Sequence, residues 1–210
     1  ASVLSESVPL PAYLLRKAES ENREEKRRIS EHAISILNEH DTIFLDGGST
    51  TELIAADLPD ELEFTVVCWS MNILSIVTRK PNIKTIVLGG VYHESSGVFE
   101  SPEGVEQLRG IRVTTAFMSA NGIEPSLGVT CSNSFEVGVK QAAMRSSLHK
   151  ILVADATKLG RVNSAHFADA QEFDTIITSG DVDQRILDSF SDIGVFITVV
   201  PSKGLEIPKD

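Results

Sequence analysis

The chain has 210 residues, 41% of them hydrophobic and 23% charged, which is enough apolar material for one sizeable core, so one compact domain is the default. Its 19 Lys and Arg against 30 Asp and Glu give a formal net charge of -11, the opposite of what a duplex-binding surface carries. The two cysteines, Cys68 and Cys131, match no metal or redox spacing and point to a reducing compartment, the cytoplasm, and no apolar run reaches the roughly 20 residues of a spanning helix.

Residues 19–39 run from charged to amphipathic, with Ile29, Ala33, Ile36 and Leu37 at helical spacing, and are read as one long helix. The basic residues between 16 and 28 are interleaved with Glu19, Glu21, Glu24 and Glu25, the pattern of a solvated helix laced with ion pairs. Beyond it, seven short β-branched runs alternate with small-residue turns and helical stretches: 42–45, 65–67, 85–88, 113–118, 151–154, 175–178 and 195–199. Strands separated by helices require parallel crossovers and a sheet covered on both faces, so the fold class is α/β, doubly wound with a mainly parallel sheet. The stretch 89–110 is rich in Gly, Ser and Pro and is read as a long loop or a minor hairpin.

In such a sheet ligands bind beyond the carboxyl ends of the strands, which directs attention to the turns after each run. The first holds Asp46, Gly47, Gly48, Ser49, Thr50 and Thr51 ahead of a helix. Glycines admit close approach and a helix start presents unpaired N–H groups, so this loop suits a phosphate; Ser49 with Glu52 also reads as a capping box. Gly89 and Gly90, then Asn121 and Gly122, then Asp155, Thr157 and Lys158 occupy the same place after later strands, and Lys158 supplies a mobile positive charge. Their convergence is read as a composite phosphate site. Asp46 and Asp155 either accept hydrogen bonds from sugar hydroxyls or cap their turns. Glu136 and Lys140, four apart on a helix, either read the rest of a ligand or form an exposed ion pair. The five scattered histidines offer no metal site, and Cys131 reads as a packed small residue.

Glu25-Lys26, then DGGSTT at 46–51, VVCWSMN at 66–72, IVLGG at 86–90, SANGI at 119–123, EVGVK at 136–140 and DATKLG at 155–160 together resemble the C-terminal effector-sensing domain of the DeoR family of bacterial sugar-metabolism repressors. The resemblance covers about 16–200. It implies the fold group of ribose-5-phosphate isomerase, glucosamine-6-phosphate deaminase and CoA transferases, a phosphorylated sugar as effector, no cofactor, no metal and no membrane. It also implies operator DNA contacted only through an N-terminal helix-turn-helix module, which this sequence lacks, and a homo-oligomer. On that basis 1–18 is expected to be a linker remnant and 19–210 the sensing domain. Carried over by position, the ligand residues are Asp46, Gly47, Gly48, Ser49, Thr50, Thr51, Gly89, Gly90, Asn121, Gly122, Glu136 and Lys158. Trp69 either offers a stacking face for a sugar or fills the core. The alternative function is a sugar-phosphate isomerase-like enzyme of the same fold group, with Asp46, Glu136, Asp155 and Lys158 as its acid, base and cation.

Overall fold

The structure is a computed structural model that describes residues 22–201. The expected linker 1–18 lies outside the described residues, as do the ends of the expected sensing domain, 19–21 and 202–210.

Helix α1 (Arg23–Ser35) buries Lys26, Ile29, Ser30 and Ala33, a stripe at helical spacing, and turns the ion pairs Arg27–Glu31 and Arg28–Glu24 outward. The bland reading of this helix therefore holds for its outer face, while Lys26 departs from it by pointing inward. From there the chain alternates: β1 (Thr42–Leu45), α2 (Ser49–Asp57), β2 (Phe64–Cys68), α3 (Met71–Val77) and β3 (Ile83–Val87). A two-stranded ribbon follows, β4 (Val91–His93) and β5 (Val98–Glu100), then α4 (Pro102–Arg109), β6 (Val113–Met118), β7 (Gly122–Glu124) and β8 (Gly128–Cys131). The chain continues with α5 (Val137–Ser146), β9 (Ser147–Val153), β10 (Ala165–Ala168), β11 (Thr175–Ser179), α6 (Gln184–Ser191) and β12 (Ile197–Val200).

The seven apolar runs read from the sequence form one parallel sheet of order β12-β11-β9-β6-β1-β2-β3. Side chains along each strand alternate between its faces. Ile43, Leu45, Val66, Phe117, Ile151, Val153 and Ile177 pack with α1, α2 and α3, through Ile29, Ile54 and Ile73 among others. Phe44, Val67, Ala116, Met118, Leu152 and Ile176 pack with Leu108 of α4, Val139 and Ala142 of α5, and Phe190 of α6. Helices thus cover both faces, which is why the strands read as unbroken apolar runs.

Two details differ from expectation. The stretch 89–110 holds both the hairpin β4–β5 and an eight-residue helix, α4, whose start is set by Pro102 and by the Ser101 hydroxyl accepting the Gly104 N–H. Strands β7, β8 and β10 form a separate antiparallel sheet; at three or four residues each, they are too short to leave an alternation that can be read from sequence.

Candidate functional site

The chain enters the sheet at its middle, at β1, fills one side with β2 and β3, then crosses to the other side at β6. Strands β1 and β6 are therefore the topological switch point, where the turns at the carboxyl ends diverge and leave a crevice. A cavity of about 400 Å³ occupies that place. Gly47, Gly48, Ser49 and Thr50 line it from the β1 turn, Ser119, Ala120 and Asn121 from the β6 turn, and Asp155, Thr157 and Lys158 from the β9 turn. Its remaining walls come from Asn22 and Lys26 of α1, Ser95 and Ser96 at the ribbon tip, and Ser132, Asn133 and Glu136 after β8.

The β1 turn is shaped by what packs around it. A side chain on Gly47 would meet Val98 at 2.8 Å, because the ribbon lies directly over the loop, and Gly48 has a φ of +150° with Ser119 close by. Gly48 is the N-cap of α2, so no side chain caps the helix, and the first N–H groups of α2 face the crevice without an intrahelical acceptor. The expected capping box is not formed: Glu52 instead accepts a 2.8 Å hydrogen bond from Asn72. This helix start carries the positive end of the peptide dipoles into the crevice. Lys158 lies half-buried in a single 3-10 turn after β9, where its backbone N–H donates to the Asp155 carbonyl while its ammonium has no hydrogen-bond or ion-pair partner among the described residues.

Beneath the floor sits a buried ion pair. Asp46, fully buried at the end of β1, accepts from the backbone N–H of Gly47 and Ser119, the Ser119 hydroxyl, the Trp69 indole N–H and the Lys140 ammonium. Lys140, 1% exposed, donates to Asp46 and to the Ser119 carbonyl, lies 4.0 Å from Glu136 and sits over the Phe167 ring. Burial pulls the Lys140 ammonium down, but Asp46 and Glu136 beside it outweigh burial and hold it above the ordinary lysine value. Burial pushes the Glu136 carboxyl up against the pull of Lys140 and of a 2.7 Å hydrogen bond from Asn133. Glu136 and Lys140 are thus not an exposed surface pair: α5 packs with its Lys140 side toward the sheet, so the pair lies inside.

Asp46 neither caps its own turn alone nor faces the crevice; it pins the β1 and β6 turns together. Trp69 is core, with its N–H spent on Asp46. Thr51 is buried and bonded to the Asp46 carbonyl. Gly89 and Gly90 stand at the foot of the ribbon and Gly122 begins β7, away from the cavity walls. Of the twelve residues taken from the sequence, Gly47, Gly48, Ser49, Thr50, Asn121, Glu136 and Lys158 are brought together. Asp155 also faces the crevice, holding its own turn through the Thr157 N–H at 3.1 Å and meeting Lys26 at 3.8 Å. Asn22, Ser96, Ser132 and Asn133 carry no sequence signal, since they come from a helix start, a hairpin tip and a short strand's end with no motif of their own, and Lys26 enters only through the Glu25-Lys26 pair of the family resemblance. Helical spacing also sets Lys26 on the buried face of Ile29 and Ala33, a second signal for it. Cys131 is buried and its thiol is pushed up to about 11 by burial, which fits a packing residue. Among the described residues no group of His, Cys, Asp and Glu is arranged to hold a metal, and no helix is long and apolar enough to cross a membrane.

The DeoR C-terminal sensor domain family matches residues 21–180. The deoxyribose operon repressor of Escherichia coli (strain K12) is 34% identical over 166 residues, covering 79% of this chain and 66% of that protein. The lactose phosphotransferase system repressor of Lactococcus lactis is 30% identical over 193 residues, covering 91% of this chain and 75% of its own length. Among solved structures, eIF2B beta from Chaetomium thermophilum superposes with a TM-score of 0.56 at 12% identity over 81% of this chain and 53% of that one, a likeness of fold. The chain therefore spans about two thirds of the length of the first repressor.

Proposed function

Because the chain belongs to the family of DeoR C-terminal sensor domains, we propose that it is the effector-sensing part of a transcriptional repressor of sugar or nucleoside catabolism and that its crevice binds a phosphorylated sugar. The observation that carries this reading is the convergence, in one cavity, of the uncapped start of α2 with Lys158, whose ammonium has no partner among the described residues. A helix start and a cation together recognise an anion, and Glu136, Asn133 and Asn121, which line the same cavity, offer the acceptors and donors that sugar hydroxyls need. The names of the two repressors, one for a deoxyribose operon and one for a lactose phosphotransferase system, support a carbohydrate effector.

On this reading the domain binds and does no chemistry. Of the four residues an isomerase would turn on its substrate, Asp46 is spent beneath the floor on Lys140 and four other donors, out of reach of the crevice. The effector acts by differential binding: a tenfold change in operator affinity requires about 1.4 kcal/mol of coupling between the sites. With a net charge of -11 the domain leaves operator contact to a separate DNA-binding module of the repressor, and it self-associates to present two such modules to a symmetric site in the cytoplasm.

Thermal denaturation tests the assignment. Ribose 5-phosphate or 2-deoxyribose 5-phosphate at a hundredfold its dissociation constant stabilises by about 2.7 kcal/mol, a rise in Tm on the order of 5–10 °C for a domain of this size. The unphosphorylated sugars are expected to do little. Lys158→Ala should bind about tenfold more weakly with the ligand-free Tm unchanged. Equal stabilisation by phosphorylated and unphosphorylated sugars, or full affinity in Lys158→Ala, overturns the phosphate assignment.

A further inference from the structure

Helix α1 is the one wall of the crevice that belongs to no strand-end turn. Its Lys26 side chain is 5% exposed, points into the cavity and lies 3.8 Å from the Asp155 carboxylate, which is itself buried. Asn22, at the start of the helix, lines the same cavity and donates to Asp155 at 3.3 Å. Asp155 in turn belongs to the β9 turn that carries Lys158. Among the described residues Asn22 and Lys26 thus tie the amino end of α1 to one carboxylate of the β9 turn, and that carboxylate borders the space a ligand would fill.

The rest of this junction is poorly satisfied. Among the described residues Glu25 Oε2, Thr178 Oγ1 and Ser179 Oγ are buried without hydrogen-bond partners, and the Glu25 carboxylate lies against Gly180 just after β11. Burial, with Asp155 and Asp181 nearby, also pushes the Glu25 carboxyl up. The carboxylates of Asp155, at 3.8 Å, and Glu25, through its charge, thus both act on the buried Lys26 ammonium. An anion arriving in the crevice competes with them for it.

We propose that α1 is a ligand-contacting element: Lys26 and Asn22 bind the phosphate of the sugar together with Lys158, exchanging part of their contact with Asp155 for the ligand, so that binding reseats the amino end of α1. This rests on the phosphosugar reading above. Its consequence is mechanical, because the sequence that precedes residue 22 is attached directly to the start of this helix. A ligand that bridges Lys26 and Lys158 acts on that attachment without any long chain of intermediates.

The test uses titration calorimetry and amide hydrogen exchange with 2-deoxyribose 5-phosphate and ribose 5-phosphate. Lys26→Met keeps the length and packing of the side chain and removes its charge; Asn22→Gly keeps the left-handed backbone (φ 54°) and removes the amide. Affinity is expected to fall about tenfold in Lys26→Met and about threefold in Asn22→Gly, and saturating ligand should change the exchange of α1 amides in the parent chain but not in Lys26→Met. Should Lys26→Met unfold, Asn22→Gly and the exchange measurement on the parent chain decide the matter. Undiminished affinity in the folded variants, or α1 amides indifferent to ligand while Lys158→Ala still weakens binding, overturns the role of α1 and leaves the phosphosugar reading standing. A parent chain that binds neither sugar phosphate overturns both.

Discussion

Replacing Lys140 by Met tests whether the buried pair beneath the crevice is what holds the two switch-point turns together. Lys140 is 1% exposed and Asp46 fully buried, and both charges are out of water. At an effective dielectric near 20, two unit charges about 4 Å apart attract by about 4 kcal/mol, and removing one partner of a buried pair costs about 3–5 kcal/mol because the other charge stays uncompensated. Asp46 keeps four donors after the change, from Gly47, Trp69 and the amide and hydroxyl of Ser119, which places the expected loss toward the lower end, about 3 kcal/mol. With a urea m value of about 2 kcal/mol/M, the unfolding midpoint should drop by about 1.5 M. Asp46→Asn should cost a similar amount, and the double variant should cost less than the sum of the two by about 1–3 kcal/mol, since it leaves neither charge alone. A Lys140→Met loss below about 1 kcal/mol, or strict additivity in the double variant, would refute the pair as the clamp between the β1 and β6 turns.

Two further outcomes are expected. Gly48→Val places a β-branched side chain at φ +150° and within 3.2 Å of Ser119; it should destabilise by about 1–3 kcal/mol and abolish phosphosugar binding, and a variant that binds normally in calorimetry would show that the loop is not the cradle. The Glu136 carboxyl is pushed above its ordinary value of 4.5 by burial, so the native state keeps this proton at a pH where the unfolded chain has lost it, and its contribution to stability falls as pH rises through that window. Glu136→Gln, followed by urea denaturation, should therefore gain stability relative to the parent as pH is raised from below 4.5 to neutrality; a pH-independent difference would count against the burial of a titrating carboxyl.

The amino-acid sequence alone determined the sheet. Each of the seven runs is a nearly continuous series of β-branched and apolar residues because the inner strands of a parallel sheet are buried on both faces and even its edge strands β3 and β12 are partly covered, and that requirement is local enough to read. The β1 turn was legible for the same kind of reason: the pair Gly47-Gly48 followed by hydroxyl residues has a backbone meaning before any contact forms. Tertiary structure alone decided where charge would lie. Glu136 and Lys140 have the spacing of a surface ion pair, and the rotation of α5 about its axis, set by Val139, Ala142 and Ala143 packing on the sheet, turned Lys140 onto Asp46, ninety-four residues away. Gly89, Gly90 and Gly122 follow strands as the crevice glycines do, but Gly89 and Gly90 lead into the ribbon β4–β5, with Gly90 against the Glu100 carbonyl, and Gly122 pairs with Thr130 in the small sheet. Lys26 looked like one more cation on a charged helix and became a wall of the crevice because α1 packs across α2 and β11. Such placements arise from contacts between residues remote in sequence, whose energies depend on distance and burial that exist only once the chain has folded.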